Sequence, residues 1–405
     1  MLADPGFWAE LMATCSIRLA HRRARLRTYG ELVGSGEMLA MVADYAAGRL
    51  ALAPPTRRSI NRSGGRRKVL FIFAPRDELF LRALNRVLQP RAADLHSRLC
   101  HSFQPGRGVR TAYNQVLGTP DLDSLACVRL DVRDYFNSIS PAGALEALPG
   151  ELRGDRPLVA FLERTLLDRR VVSDGVEVVD DHKGVMAGTP IAPLLSNLYL
   201  RGLDAEFEAA GAGYLRYADD FLILGPPAAA EGHLRTVEAR LAALGLGLNP
   251  RKTQLVPPGE AWEFLGLRYH QGALDLAGNT VSKMRHRVRR LARKARTREA
   301  PASFFMRAWS RRVYGVGGDP ADFTWATWFF PLLSGDTTLR HLDGLVQEQA
   351  RFAVTGRHER RNLGRVPYAD LRAAGYLPMV SAYHAFQRSP GAYGGMIAAV
   401  EARLG

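Results

Sequence analysis

The chain has 405 residues, enough for a sizeable core and two or three lobes, and its 55 Lys and Arg against 40 Asp and Glu leave a formal charge of +15. That excess points to a polyanionic partner, nucleic acid first, while no apolar run is long enough to span a bilayer, which argues against a membrane protein. Three scattered cysteines, Cys15, Cys100 and Cys127, give neither a metal spacing nor a disulfide set, and Met1-Leu2-Ala3-Asp4-Pro5 lacks the basic start and apolar core of a secretory leader, so a reducing cytoplasm is expected.

Residues 7–51 carry a helical pattern that ends before Pro54-Pro55. The basic stretch from Arg57-Arg58 through Gly64-Gly65-Arg66-Arg67-Lys68 reads as a mobile loop, placed to hold phosphates or simply solvated. It runs into Val69-Leu70-Phe71-Ile72-Phe73, a strand-like run, and then into residues 77–84, which look helical. Cys127–Val132 reads as a strand with Asp131 near its end. A buried acid is costly unless paired or metal-bound, so Asp131 is a candidate metal ligand. Residues 158–170 look helical, and residues 171–181 read as a loop rich in Val, Asp and Gly. In Lys183–Leu200, the glycines and Pro190 permit close backbone approach to a ligand, or merely lead into the apolar helix expected after Pro193.

Tyr217-Ala218-Asp219-Asp220 lies between the runs Tyr214-Leu215-Arg216 and Phe221-Leu222-Ile223-Leu224, a pattern that predicts a β-hairpin with two carboxylates at its turn. Adjacent acids repel unless a divalent cation neutralises them, although the four residues alone also suit an ordinary acidic turn. Leu234, Val237, Leu241 and Leu244 then repeat at helical spacing with Gly245 as a stop, a helix expected to lie on a sheet. Leu248–Thr253 leads to Trp262–Tyr269, a second strand-like segment. After a turn at Gly278-Asn279, Ser282 is the expected cap of a helix with the apolar stripe Met284, Val288, Leu291 and Ala295. Its other faces carry Lys283, Arg285, Arg287, Arg289, Arg290, Arg293, Lys294, Arg296 and Arg298 without an acid. A solvated helix normally mixes signs, so a track for a phosphate backbone is favoured. Residues 301–405 hold aromatic-rich helical segments without a recognisable catalytic motif.

Taken in order, these landmarks resemble the reverse transcriptase family of right-hand polymerases over roughly residues 65 to 270. Arg66 and Lys68 with Pro75-Arg76-Asp77 resemble the first fingers motifs, and Phe103-Gln104-Pro105-Gly106-Arg107 the FRPGR segment of group II intron enzymes. Asp131 to Phe136 resembles the first palm motif, Gly184 to Asn197 the second, and Tyr217 to Asp220 the metal-binding third. Leu244 to Thr253 resembles the fourth, and Phe264-Leu265-Gly266 the primer grip.

The resemblance implies an α+β right hand: an N-terminal helical segment over 1–60, fingers over 61–125, a palm with fingers insertions over 126–270, and a helical thumb with C-terminal extension over 271–405. It implies RNA-directed DNA synthesis with two Mg²⁺ ions, replaceable by Mn²⁺, held by Asp131, Asp219 and Asp220 with the carbonyl of Val132. Lys252 would protonate pyrophosphate, Arg66 and Lys68 would clamp the triphosphate, and Phe136 would bar a ribose 2′-hydroxyl, favouring dNTPs. Ala187 and Gly188 would border the nucleotide, and Arg107, Phe264, Leu265, Gly266, Arg289, Arg290 and Arg293 would contact primer and template.

One departure is Met186-Ala187-Gly188, where group II enzymes carry Pro-Gln-Gly; Ala187 has no side-chain hydrogen bond to offer a nucleotide or template pair. No RNase H segment or Cys/His endonuclease pattern is recognisable, and Thr111-Ala112-Tyr113-Asn114-Gln115 does not reproduce the retron signature. These features suggest a stand-alone bacterial reverse transcriptase, resembling the abortive-infection and antiphage-defence groups and working on a cognate noncoding RNA. Template-independent or protein-primed DNA synthesis is the alternative within the same chemistry. A non-catalytic, maturase-like RNA-binding protein is the alternative from another class, and the oligomeric state stays open.

Overall fold

The computed structural model describes residues 1–18, 23–61, 67–317 and 324–404. The backbone separates into two compact units, Met1–Pro258 and Gly259–Gly405. The β-strands that begin at Trp262 form a sheet of their own and belong to the second unit.

In the first unit, α1 (Pro5–Arg18), α2 (Arg23–Gly34) and α3 (Glu37–Ala46) precede β1 (Thr56–Asn61), β2 (Arg67–Ile72), α4 (Pro75–Ala92) and α5 (Val109–Leu117). There follow β3 (Ala126–Asp131), α6 (Tyr135–Ser138), α7 (Pro141–Glu146), α8 (Gly150–Arg153), α9 (Arg156–Leu167), β4 (Arg170–Ser173) and β5 (Val176–Val179). The unit closes with α10 (Ala192–Ala209), β6 (Gly213–Tyr217), β7 (Asp220–Gly225), α11 (Pro227–Ala243) and β8 (Gln254–Val256). One sheet runs β2-β1-β4-β5, and an antiparallel sheet runs β6-β7-β3-β8.

Two segments expected as loops are strands. Arg57 and Arg58 lie in β1, whose residues pair one for one with β2, from Thr56 opposite Ile72 to Asn61 opposite Arg67. Pairing with a neighbouring strand outweighs the charged composition; Gly64, Gly65 and Arg66 lie outside the described residues. Residues 171–181 hold the β4–β5 hairpin, in which the two turn residues Asp174 and Gly175 both have positive φ (51° and 86°). That is the primed turn whose twist matches paired strands, and an Asp-Gly between valines is its signal.

β3 is buried along almost its whole length. α11 packs on β3 and β7, burying Val237 and Leu241 as the helical spacing predicts. Between α3, α4 and α9, Tyr45, Phe80 and Phe161 meet with ring centroids 5.4 to 5.7 Å apart. Each buried phenylalanine there contributes about 2–3 kcal/mol from its removal from water.

The second unit begins with β9 (Trp262–Phe264), β10 (Leu267–His270) and β11 (Ala273–Leu276), followed by α12 (Gly278–Ala295), α13 (Pro301–Tyr314) and α14 (Trp325–Phe329). α15 (Thr337–Thr355), α16 (Asn362–Arg365), α17 (Tyr368–Ala373), α18 (Met379–Arg388) and α19 (Pro390–Leu404) complete it. The segment Trp262–Tyr269, expected as one strand, is a hairpin broken by Leu265 and Gly266, whose φ values are 45° and 89°. α12 starts at Gly278 rather than being capped by Ser282, because the Glu263 carboxylate accepts the Gly278 N–H at 2.9 Å and so satisfies one of the helix's first donors. Its buried stripe is Met284, Val288, Ala292 and Ala295; Leu291 is only half-buried. α12 packs on α13 and α15, and the buried Asp343 of α15 accepts the Met379 and Val380 N–H groups at 2.7 and 3.0 Å, capping α18.

Candidate active site

The antiparallel register of β3 and β7 sets Asp131 directly opposite Asp220 at one end of the sheet. Between β6 and β7 the two-residue turn Ala218-Asp219 carries Asp219 to the same end, with Ala218 at φ 59° and the Asp219 carbonyl accepting the Val132 N–H at 3.0 Å. Three carboxylates therefore come together from two chain segments some ninety residues apart in sequence, as their numbers show.

The turn is held from behind by a buried polar network that the sequence did not disclose. Arg216, taken for part of an apolar run, is fully buried and grips Asp204 of α10 in a bidentate pair, Nε to Oδ1 at 2.7 Å and Nη2 to Oδ2 at 2.5 Å. Its Nη1 donates to Asn197 Oδ1 and to the Ala218 carbonyl, both at 3.2 Å. The Ala218 N–H in turn donates to Ser102 Oγ at 2.9 Å, so both backbone groups of Ala218 are fixed. A buried guanidinium is tolerated only with such complete pairing.

On the other side, Asn249 and Lys252 face Asp131. Asn249 donates from its amide to Asp131 Oδ1 at 3.1 Å and from its backbone to the Asp131 carbonyl at 2.8 Å, while the Lys252 ammonium pairs with Oδ2. A turn in which the Lys252 N–H bonds the Asn249 carbonyl at 2.9 Å sets both side chains. Burial, then the Asp131 charge, raises the Asp219 carboxyl; burial, then Asp219 and Asp131, pushes Asp220 up to about 7. Among the described residues no three His, Cys, Asp or Glu side chains already stand in a metal-holding arrangement, and Asp131 is neutralised by Lys252 instead. The donor set nevertheless fits a hard divalent cation: Asp131, Asp219 and Asp220 offer oxygen ligands, and their mutual repulsion is what a cation relieves.

A cleft of about 380 Å³ opens beside these acids, lined by Lys68, Asp131, Phe136, Ala187, Asp219 and Lys252 among others. Arg67, Asn249 and Asp134 also border it, and none of the three was singled out from the sequence. Asp220 is not on its wall. The 184–189 segment contributes Ala187 to the lining. Gly184 has φ 54°, and a Cβ there would lie 2.4 Å from the Phe136 carbonyl, so the backbone approach requires glycine. Asn137 ties the walls together: its Oδ1 accepts the Ala187 N–H at 3.1 Å, and its Nδ2 donates to the Val69 carbonyl at 3.3 Å and Asp134 Oδ1 at 3.1 Å. The Ala187 carbonyl accepts the Phe71 N–H at 2.9 Å, and Gly188, at φ 99°, lies against Leu70 and Phe71. Phe136 is half-buried between Tyr135 and Phe103, with ring centroids 5.4 and 6.1 Å away.

Residues 77–269 match the family model of the reverse transcriptase (RNA-dependent DNA polymerase). This stretch is a reverse transcriptase domain. The chain is also 27% identical over 159 residues to the "Uncharacterized 91 kDa protein in cob intron" of Schizosaccharomyces pombe, covering 38% of this chain and 19% of that protein. It is 24% identical over 269 residues to "Protein YkfC" of Escherichia coli, covering 56% of this chain and 69% of that one. The chain thus spans about a fifth of the first relative's length.

Asp131, Asp219, Asp220, Lys252, Phe136, Ala187 and Gly188 all lie inside the reverse transcriptase domain and in or beside the cleft, with Val132 next to Asp131. Lys68 lines the cleft but precedes the matched stretch, and Arg66 lies outside the described residues. Arg107 is elsewhere: its Nη1 donates to the Arg98 carbonyl at 2.5 Å, and it lines a separate cavity of about 670 Å³ with His101 and Gln115. Phe264, Leu265 and Gly266 fall within the reverse transcriptase domain but in the second unit, where the Gly266 carbonyl accepts Thr280 Oγ1 at 2.8 Å. Arg289, Arg290 and Arg293 are exposed on α12, beyond the domain. No helix among the described residues is long and apolar enough to cross a membrane.

Proposed function

We propose that the chain is an RNA-directed DNA polymerase that extends a primer with dNTPs by metal-assisted nucleotidyl transfer. The observation that carries this reading is the convergence of Asp131, Asp219 and Asp220, all within the reverse transcriptase domain, beside a cleft walled by Lys68, Phe136 and Lys252. Asp131, Asp219 and Asp220, with the Val132 carbonyl, would hold two Mg²⁺ ions. Such a pair, when bound, supplies activation of the primer 3′-hydroxyl and charge stabilisation of the departing pyrophosphate.

The chain's own residues do the rest. Lys252, already beside Asp131, would donate a proton to the leaving pyrophosphate. Lys68, with Arg67 next to it on the cleft wall, offers cationic contacts to the triphosphate. Phe136 presents ring carbon where a ribose 2′-hydroxyl would need space. In this reading the first unit supplies fingers and palm, and the exposed arginines of α12 in the second supply a thumb-like track for the nucleic-acid backbone.

The test is extension of a DNA primer on an RNA template in Mg²⁺, comparing the wild type with Asp219→Asn/Asp220→Asn. Synthesis lost with RNA binding retained supports the reading. A biological effect that survives the double substitution favours a non-catalytic RNA-binding role instead. Template-independent or protein-primed synthesis is a second reading, favoured by Ala187, which puts a methyl group on the cleft wall where a hydrogen-bonding side chain would read a templated pair. Sequencing nucleic acid co-purified with the protein separates the two: a defined cDNA of a noncoding RNA supports templated synthesis, a repetitive product without a match the other. We further propose a cognate noncoding RNA as template and phage defence as the setting.

A further inference from the structure

A second cleft, in the second unit, takes no part in the chemistry above. It measures about 360 Å³ and lies between α15 and the segment leading into α16, with Gln347, Arg351, His358 and Asn362 in its lining, a size typical of small-ligand sites. Asn362 is 4% exposed, and its Nδ2 donates to the Arg357 carbonyl at 2.6 Å, which fixes which way the amide points. Its Oδ1 is then buried without any hydrogen-bond partner. An orphaned acceptor of this kind calls for an N–H donor.

His358 supplies the second feature. Its ring stacks on Phe352 at 4.3 Å between centroids and 5° between planes, and Nδ1 lies 2.8 Å from Glu348 Oε1. The residue is exposed, so the stack ends in an available aromatic face. The third feature is a cation that shares the Phe352 ring. Arg296, which follows the last residue of α12, sets its guanidinium carbon 5.1 Å from the Phe352 centroid. Arg296, just past the basic helix, and His358 of the cleft lining thus both lie against Phe352, within the same unit.

We propose that this cleft holds one unpaired nucleobase, stacked on His358 and donating to Asn362 Oδ1, in a strand whose phosphates follow the arginines of α12. Every base has a π-face to stack and an N–H to donate, which suits a site that binds a base without demanding one sequence. Exposed Arg360 in its lining complements a neighbouring phosphate. The inference rests on the reading of α12 as a nucleic-acid track.

The experiment uses the full chain, a fluorescein-labelled 12-nucleotide oligo(A) RNA, an abasic strand of the same length, and free AMP. His358→Ala is expected to weaken oligo(A) binding about tenfold, the loss of one base–aromatic stack, while His358→Phe, which restores a ring, binds near the wild-type level. The abasic strand is expected to bind all three proteins alike. Equal oligo(A) affinity for wild type and His358→Ala overturns the proposal, as does an equal loss on the abasic strand. Binding of AMP with the same His358 dependence, and none for the strand, overturns the strand assignment. A protein that fails to extend primers yet shows the His358 dependence loses the polymerase reading and keeps this one; the opposite pair of results does the reverse.

Discussion

Replacing Arg216 by Met tests whether the acidic turn depends on the charged network behind it. Methionine keeps much of the volume, so the main loss is electrostatic. Asp204, 1% exposed, would keep only the Tyr214 hydroxyl at 2.7 Å in place of a bidentate guanidinium. Leaving one partner of a buried pair uncompensated costs about 3–5 kcal/mol. For a unit of this size that lowers the melting temperature by about 10 °C. Asp204→Leu combined with Arg216→Met removes both charges and should recover most of the stability. It should not recover synthesis, because the Ala218 carbonyl still lacks the 3.2 Å bond from Arg216 that sets the Asp219 turn. Urea unfolding followed by circular dichroism gives the stability, and primer extension gives the activity. An Arg216→Met protein that melts within about 2 °C of the wild type, or a double variant as unstable as the single one, refutes the reasoning.

Asp220 holds its proton in the fold up to about 7, whereas the unfolded chain releases it near about 3.9. Without divalent cations, stability therefore falls as pH rises through that window. Asp220→Asn should stabilise the protein in EDTA by on the order of 2–3 kcal/mol at pH 8, allowing for partial solvent contact, and not at pH 4; equal gains at both pH values would sink the argument. Phe136→Ala should admit ribonucleotides in single-nucleotide incorporation, and unchanged sugar selectivity removes its assignment. Neutralising Arg289, Arg290 and Arg293 together should flatten the salt dependence of RNA binding by about three counterions' worth of slope; an unaltered slope removes the track. Gly184→Ala should cost about 3 kcal/mol or more, since its methyl meets the Phe136 carbonyl at 2.4 Å with φ 54°, and a normal urea midpoint would contradict the close approach.

What was legible in the sequence is what local chemistry encodes. An acid interrupting an apolar strand, as at Asp131, and a pair of acids between two apolar runs, as at Asp219 and Asp220, announce a demand for positive charge wherever they fold. Valines around Asp174-Gly175 and the Leu265-Gly266 pair carried equally local hairpin signals, and reading the surrounding segments as a loop and a single strand overlooked the turn residues. The basic residues Arg57, Arg58, Arg67 and Lys68 misled for a different reason: their strand character comes from pairing with a neighbour, which none of them advertises.

The network behind the turn was illegible in principle. Arg216 finds Asp204 twelve residues away and Asn197 nineteen away on a helix, and Ser102 reaches Ala218 across 116 residues. A lone arginine in a strand reads as an exposed charge until the partner's position is known. This matters for the site because the strand pairing alone fixes only Asp131 against Asp220. Asp219 sits in a turn with an alanine at positive φ, a conformation that costs about 1 kcal/mol or more without support. The support is Ser102 on the N–H of Ala218 and Arg216 on its carbonyl. The residues that most directly fix the geometry of the acidic site thus carry no chemistry themselves, and only the folded chain brings them into view.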